Sequence, residues 1–345
     1  MSAVFLSPLA RPLIIAGIVS ILWGGRLVAA DPLAELIEEL RDQEALYETL
    51  DVVVRETYDI GDRKPPKGSG AAEGSIGGSM GGVVVRQDIH RRYVVQNERF
   101  RLEMGNKSKV NDGENADTNY RAAVFDGVTT RMLEGNGHAF VTAGRVEHSE
   151  AFRPHMLLMS PVYNQAKVPL SVYLEGDAAM KRFSRFSNRD GYVITGSDRG
   201  EAEFRGLKCR RVTVTVSIRG QPYNSWEFWL AVDRNYIPAR KLSYTFRFSK
   251  TEPVGESVVD EWKELRPGVW FPMSATVTAF NQFEIQRTGK RRLQWRHRYH
   301  VEEVRLGERK PDEFFKLPFP AGTKVTERDA DGQKVRQYRV QADEP

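Results

Sequence analysis

Residues 226–280 constrain the fold of this chain more than any other segment, because they contain four stretches rich in aromatic and β-branched residues. Strand propensity of this kind predicts β-strands at 226–232, 239–248, 257–265 and 270–280. Asp233-Arg234-Asn235 lies between the first two stretches, and Arg266-Pro267-Gly268 lies between the last two, with residue types that favour turns. Strands joined by short turns pair as antiparallel neighbours. The region therefore predicts a curved antiparallel sheet with a large apolar face.

Alternation within these strands places the large side chains on shared faces. One predicted set comes from the first strand and another from the second, and together they are Trp226, Phe228, Leu230, Leu242, Tyr244, Phe246 and Phe248. Each large apolar side chain removed from water contributes about 25 cal/mol per Å². Such residues either fill a core beneath covering helices or line an apolar cavity, and the sequence leaves both possibilities open.

The first thirty residues predict an export signal and not part of the fold. Arg11 supplies a weakly positive start, residues 13–23 are almost purely apolar, and Val28-Ala29-Ala30 has the small residues that a signal peptidase requires. The apolar run is shorter than the roughly 20 residues of a membrane-spanning helix. We therefore expect cleavage near Ala30 and a periplasmic or secreted mature protein, with an uncleaved anchor as the alternative.

The rest of the chain predicts one domain, residues 31–325, followed by a polar C-terminal tail, residues 326–345. Apolar residues at helical spacing predict an amphipathic helix at 32–46, and residues 150–185 predict short helices that form a lid. The glycine-rich segment 61–82 and the polar segment 105–119 predict two long loops. Alternation predicts further strands at 49–60, 83–95, 99–104, 120–125, 129–133, 139–143, 192–196, 201–204, 210–218 and 293–304.

Charge and cysteine content exclude several classes of protein. A formal net charge of +5 with 28% charged residues is ordinary and does not indicate a nucleic-acid partner. The lone Cys209 excludes an internal disulfide and a cysteine zinc cluster. The densest basic patch is Lys290-Arg291-Arg292 with the nearby Trp295. It predicts either a solvated hairpin tip or a contact with an anionic membrane surface.

No catalytic or metal-binding set emerges from the sequence. The segment 77–81 matches the G-x-S-x-G pattern of serine hydrolases, but it lacks the strand and the helix that this chemistry requires. His297 and His300 fall on opposite faces of a predicted strand, so they cannot share one metal ion. We therefore predict a protein that is not an enzyme, with no cofactor and no metal.

Two motifs resemble the LolA-like superfamily of outer-membrane lipoprotein carriers and lipoprotein-sorting proteins. Residues 228–240, FWLAVDRNYIPAR, resemble the block in which a hydrophobic strand ends in Val-Asp and a proline with a basic residue begins the next strand. Residues 317–325, LPFPAGTKV, resemble the C-terminal ending of that group. The resemblance implies an α+β fold, a half-open β-barrel formed by one large curved antiparallel sheet and covered by a few helices above an apolar cavity.

The resemblance and the apolar faces lead to two functional hypotheses. The first is a non-catalytic carrier that binds a lipid, an acyl chain or an acylated protein. Its cavity lining would be the seven aromatic-strand residues named above, and its lid residues would be Met156, Leu157, Leu158 and Met159. The second is an envelope sensor or protein-interaction module on the same fold with a filled core.

Overall fold

The computed structural model describes residues 31–60, 87–105, 121–144, 153–159, 168–183, 191–330 and 332–341. The chain divides into a leading unit, Met1–Asp31, and a second unit, Pro32–Pro345, which contains every element given below. The predicted export signal, the glycine-rich loop and almost all of the polar loop lie outside the described residues.

The helices are few and short. They are α1 Pro32–Ala45, α2 Leu170–Glu175, α3 Asp177–Phe183 and α4 Gln282–Thr288, with short 3-10 helices at Leu157–Met159, Val232–Arg234 and Asp312–Phe315. Pro32 suits the first turn of α1 because proline lacks the N–H group that would be unpaired there. Helices at 157–159 and 170–183 agree with the short helices predicted for 150–185.

Strands make up most of the described chain. In order they are β1 Thr49–Ile60, β2 Gln87–Gln96, β3 Arg99–Gly105, β4 Arg121–Phe125, β5 Thr129–Leu133, β6 His138–Ala143, β7 Tyr192–Phe204, β8 Leu207–Ile218, β9 Gln221–Ala231, β10 Ile237–Thr245, β11 Gly255–Arg266, β12 Val269–Phe280, β13 Leu293–Leu306, β14 Lys324–Arg328 and β15 Lys334–Arg339. The two predicted strands at 192–196 and 201–204 are one strand, β7, with an irregularity between Asp198 and Glu201.

The described strands form one sheet in the order β15-β14-β6-β5-β4-β3-β2-β1-β13-β12-β11-β10-β9-β8-β7. Neighbours are antiparallel except β14 and β6, which are parallel. The first and second halves of the chain join where β1 pairs with β13, from Leu50 opposite Leu306 to Ile60 opposite Trp295. One large, curved, mainly antiparallel sheet with few helices confirms the predicted α+β fold class.

The main core lies on one face of this sheet, which we call the inner face. Residues from β1, β2, β8, β9, β12 and β13 pack there against α1, α2 and the 3-10 helix Leu157–Met159. Leu36, Ile37 and Leu40 form the buried stripe of α1, at the spacing that predicts an amphipathic helix. The helices are thus held to the sheet by apolar burial.

Helix α2 approaches the sheet closely because β7 has a glycine beneath it. A Cβ atom built on Gly196 would lie 2.0 Å from the carbonyl oxygen of Leu174. Any larger residue would push the helix away from the strand. The close packing of α2 on β7 therefore depends on Gly196.

The C-terminal segment packs on the opposite, outer face of the first half of the sheet. Phe315, Leu317 and Val325 join buried residues of β2, β4, β5 and β6 in a second cluster. The motif at 317–325 thus forms part of a packed face.

The polar tail predicted for 326–345 is not what the structure has between Lys324 and Arg339. β14 and β15 form an antiparallel hairpin there, and β14 extends the sheet beside β6. Every side chain of β15 is exposed, so its sequence lacks the alternation that marks a half-buried strand. Backbone pairing and an Arg336–Glu327 ion pair hold it instead.

Among the residues that the structure describes, no helix has both the length and the apolar character that crossing a membrane requires.

Candidate functional site

A cavity of about 180 Å³ opens on the inner face, between the sheet and the 3-10 helix Leu157–Met159. Its walls come from β9 to β13 and from the start of α4. The inner-face side chains that border it are Met159, Trp226, Lys241, Ser243, Ser257, Val277 and Trp295. The site combines large apolar groups with a few polar ones, as small-molecule sites usually do.

Strand register explains how these residues meet. Phe228 on β9 lies opposite Lys241 on β10, and Lys241 lies opposite Ser257 on β11. Ser257 lies opposite Val277 on β12, which lies opposite His297 on β13. Residues that are directly opposite in a ladder share a face. One row of inner-face side chains therefore crosses five strands.

The lid segment, residues 153–159, covers part of this face. Met156, Leu157, Leu158 and Met159 are all buried in the main core. Methionine is flexible and polarizable, so it adapts to surfaces of different shape. All four predicted lid residues thus pack against the face that carries Trp226 and Phe228.

A polar contact fixes the start of the lid segment. His155 Nε2 lies 2.7 Å from the carbonyl oxygen of Asn235, in the turn between β9 and β10. The ring of His155 also meets the ring of Tyr47 edge to face at 5.7 Å. Burial lowers the pKa of His155 to about 4, so its imidazole is neutral at pH 7. A neutral imidazole whose Nε2 carries the proton donates to this carbonyl.

Helix α2 is held to α1 by a buried carboxylate. Glu44 Oε1 accepts hydrogen bonds from the backbone N–H groups of Leu170, at 2.7 Å, and Ser171, at 3.3 Å. Glu44 Oε2 accepts a third from the hydroxyl of Ser171 at 2.5 Å. N–H groups in the first turn of a helix lack partners within the helix. Glu44, which lies on α1, provides the acceptor for these N–H groups and so couples α1 to α2.

Lys241 is the unexpected member of the site. Its side chain is 4% exposed and faces the cavity. Among the described residues, no hydrogen bond or ion pair involves its ammonium group. Burial lowers its pKa from 10.5 to about 7, and no charged group contributes to the shift. A lysine buried without a carboxylate partner loses its proton easily because the charged form is poorly solvated.

A second set of polar side chains lies on the inner face where β1 pairs with β2 and β13. Buried Glu56 has one carboxylate oxygen 2.9 Å from Arg91 Nε and the other 3.0 Å from His297 Nε2. His297 shares its face with Trp295 and Tyr299, as alternation predicts, while His300 is exposed on the other face. An ion pair inside an apolar core is costly to break, because either partner alone would be a buried charge.

The predicted lining residues do not all lie on one face. Trp226, Phe228 and Leu230 belong to the main core of the inner face. Leu242 belongs to a separate outer-face cluster with Trp229 and Ala239. Its partner across the ladder is Glu227, whereas Phe228 faces Lys241.

Tyr244 continues the outer-face pattern of Leu242, whereas Phe246 and Phe248 lie in the turn that follows β10. Tyr244 packs against the outer-face cluster, although some of its atoms border the cavity. Phe246 and Phe248 follow the end of β10, and the ring of Phe248 meets Phe283 edge to face at 5.5 Å. The predicted alternation within β10 is correct. The assignment of Leu242 to the same side as Trp226 is wrong, because the ladder is irregular between Pro238 and Arg240.

Sequence reasoning missed Lys241 at the cavity and Glu56 elsewhere on the inner face. Lys241 shares its face of β10 with a serine and a threonine, and polar neighbours of this kind usually mark an exposed side. No single-strand pattern reveals a β-bulge. Partners such as Arg91 and His297 are far from Glu56 in the chain, so only the assembled sheet brings them together.

A second cavity, of about 600 Å³, lies between α1 and the strands β7 and β8. Glu35, Glu39, Glu201 and Glu203 border it together with Lys208 and Arg210. Cys209 also borders it, and burial raises the pKa of this thiol to about 11, so the thiol is protonated. No group of three or more His, Cys, Asp or Glu side chains is arranged to hold a metal within the described part of the chain.

Comparisons with known proteins give structural likenesses at low sequence identity. A scan against protein-family models finds no match. A search of curated proteins finds no similar sequence. A DUF1329 family protein from Desulfovibrio piger is similar over 83% of this chain and 98% of that one, with 12% identity and a TM-score of 0.43.

Two further solved structures are similar over a comparable span. A protein domain from Vibrio parahaemolyticus, described as outer membrane lipoprotein-sorting, matches 82% of this chain and 97% of its own, with 7% identity and a TM-score of 0.45. A LolA superfamily protein from Nitrosomonas europaea matches 81% and 96%, with 10% identity and a TM-score of 0.40. The group that the sequence resembles is thus represented among these structures.

Proposed function

We propose that this protein is an exported, non-catalytic carrier that holds a lipid, a free acyl chain or the acyl part of a lipoprotein in its inner cavity. The observation that carries this proposal is the cavity itself, in which Met159, Trp226, Val277 and Trp295 provide apolar walls under a lid. Burial of an alkyl chain against such walls supplies affinity. The few polar groups at the wall orient the ligand.

The size of the cavity favours partial enclosure of a chain. At about 30 Å³ for each water-sized group, a volume of about 180 Å³ holds roughly six such groups. A longer chain needs the lid segment to repack. Its two methionines suit that task because their side chains change conformation at little cost.

The surface near the cavity mouth has the chemistry of a membrane contact. Phe283 on α4 is 72% exposed, and its neighbour Gln282 borders the cavity. Exposed basic residues surround α4 on the same and adjoining turns: Arg247, Lys250, Arg287, Lys290, Arg291 and Arg292. Glu284 and Glu252 pair with Arg287 and Arg291, so the excess charge is positive. An exposed ring among basic groups fits an anionic bilayer surface from which a lipid is loaded.

A filled core supports the second candidate, an envelope sensor or interaction module. The lid segment and α2 bury Leu158, Leu170 and Leu174 continuously with the sheet. In that case the inner face serves stability alone, and partners bind elsewhere.

The test is whether the protein carries lipid. The protein is purified from the cell envelope without detergent, extracted with organic solvent, and analysed by mass spectrometry; uptake of a fluorescent fatty acid is measured in parallel. A carrier yields a stoichiometric lipid and saturable uptake. A lipid-free protein that ignores the fluorescent fatty acid contradicts the carrier proposal and supports the sensor.

A further inference from the structure

At the wall of the apolar cavity, the ammonium group of Lys241 has no negatively charged partner among the described residues. Its neighbours across the ladder are Phe228 and Ser257, and Ser243 follows on the same strand and face. The 3-10 helix Leu157–Met159 packs over β10 and β11. None of these neighbours carries a charge, and Glu256, the one carboxylate among the described residues that border the cavity, is paired with Arg240. A buried charge without a partner is strongly disfavoured.

The order of polar and apolar side chains along the cavity indicates how a ligand would be oriented in it. Lys241, Ser257 and Val277 lie in the same cross-strand row, and Trp226, Ser243 and Trp295 lie two residues further along their strands. Asn224 and Gln282 border the cavity beyond them, and the side-chain Oδ1 of Asn224 is buried without a hydrogen-bond partner among the described residues. The ammonium of Lys241 and the hydroxyl of Ser257 therefore lie in one row, and the hydroxyl of Ser243 lies with the two indole rings in the next row, toward Asn224 and Gln282.

We propose that Lys241 anchors the anionic head group of a single-chain amphiphile, a carboxylate in the simplest case, with the hydroxyls of Ser243 and Ser257 beside it. The ammonium supplies the charge that the carboxylate needs, and the carboxylate supplies the partner that the lysine lacks. The alkyl chain then runs between Trp226 and Trp295 toward α4. This inference rests on the proposed carrier function and names the ligand class.

Binding of a carboxylate beside Lys241 should change the protonation state of this lysine. Free Lys241 is mostly neutral at pH 8, because burial lowers its pKa to about 7. No charged group of β9, β11 or the lid segment contributes to that pKa. A bound carboxylate stabilises the ammonium form, so the complex takes up a proton from solution.

The experiment compares decanoate, decanol and acetate by calorimetry at pH 8 in two buffers with different ionisation enthalpies. We expect decanoate to bind at least tenfold more tightly than decanol and to take up close to one proton for each molecule bound. Decanol is expected to take up none. Acetate binding as tightly as decanoate would overturn the amphiphile assignment, because it would indicate a site for small anions.

Lys241→Met is the test variant, and Lys263→Met, which replaces an exposed lysine on β11, is its control. The Lys241→Met protein is expected to bind decanoate and decanol equally, without proton uptake, while the control behaves like the wild type. If the wild type binds both ligands equally and Lys241→Met binds them in the same way, the anchor role of Lys241 is wrong. The carrier function is not affected by that result. Binding of neither ligand by the wild type overturns both. Proton uptake by the wild type tests the anchor even if Lys241→Met does not fold.

Discussion

Trp226 and Trp229 lie three residues apart on β9 and bury their rings on opposite faces of the sheet. Trp226 is 9% exposed and borders the inner cavity. Trp229 is 8% exposed and packs in the outer-face cluster, where Arg240 stacks 4.8 Å from its ring. The two residues have the same type and nearly the same burial, yet only one contacts the cavity. They form a matched pair for separating ligand binding from stability.

We expect Trp226→Ala to lose most of the fatty-acid uptake and Trp229→Ala to keep it. Both variants should lose about 3–5 kcal/mol of unfolding free energy, since each removes a buried ring. Uptake of a fluorescent fatty acid, measured below the midpoint of unfolding, separates the effects. An equal loss of uptake in both variants would argue that stability, and not the cavity wall, controls binding.

Lys241 should make the stability of the protein depend on pH. Its pKa falls from 10.5 in the unfolded chain to about 7 in the folded one, so the unfolded chain holds more protons between these values. Stability therefore rises with pH across this window. We expect Lys241→Met to be several kcal/mol more stable at pH 7 or below, at about 1.4 kcal/mol per pKa unit, with the gain fading toward pH 10.

Urea unfolding of the wild type and Lys241→Met from pH 6 to pH 10 measures this difference. Lys263→Met should follow the wild type at every pH, because Lys263 is exposed. A gap between the wild type and Lys241→Met that does not change with pH would contradict the titration of Lys241.

Gly196→Ala should destabilise the packing of α2 on β7. The added Cβ would lie 2.0 Å from the carbonyl oxygen of Leu174, which is backbone and cannot rotate away. We expect a loss of about 1–3 kcal/mol in unfolding free energy, as is usual for overpacking. Ser197→Ala, on the next residue of β7, is the control. Hydrogen exchange of the α2 amides would reveal the displacement.

Glu44 and Ser171 should be energetically coupled. Glu44→Ala leaves the first N–H groups of α2 without their buried acceptor, at a cost of about 2 kcal/mol. A double-mutant cycle with Ser171→Ala isolates the hydroxyl–carboxylate contact. We expect a coupling of about 0.5–3 kcal/mol. Strictly additive losses would mean that the two groups act independently.

Phe283→Ser should weaken binding to anionic membranes. The variant removes an exposed ring from the basic surface around α4, so we expect a severalfold weaker affinity for phosphatidylglycerol vesicles. Val128→Ser, which replaces another highly exposed apolar residue at 74% exposure, is the control and should bind as before. Salt should weaken the remaining binding. Equal affinity of the wild type and Phe283→Ser would exclude α4 as the contact.

Most of the fold could be predicted because local alternation determines strands. The four aromatic strands, the amphipathic helix α1 and the inward set Trp295, His297 and Tyr299 follow from periods of about two and about 3.6 residues, which a single sequence displays. The hairpin β14–β15 could not be predicted in this way. Its outer strand is exposed on both faces and is held by backbone hydrogen bonds, which any residue except proline donates.

The candidate site, like the fold, could be predicted from the sequence only in part. The sequence by itself determined that β10 has one face with Leu242 and Tyr244 and another with Lys241 and Ser243. Only the tertiary structure decided which face turns inward, because the ladder irregularity at Pro238–Arg240 and the register with β9 set that choice. A one-residue change of register moves every side chain of a strand to the other face. Lys241 therefore lies in the cavity and Leu242 outside it.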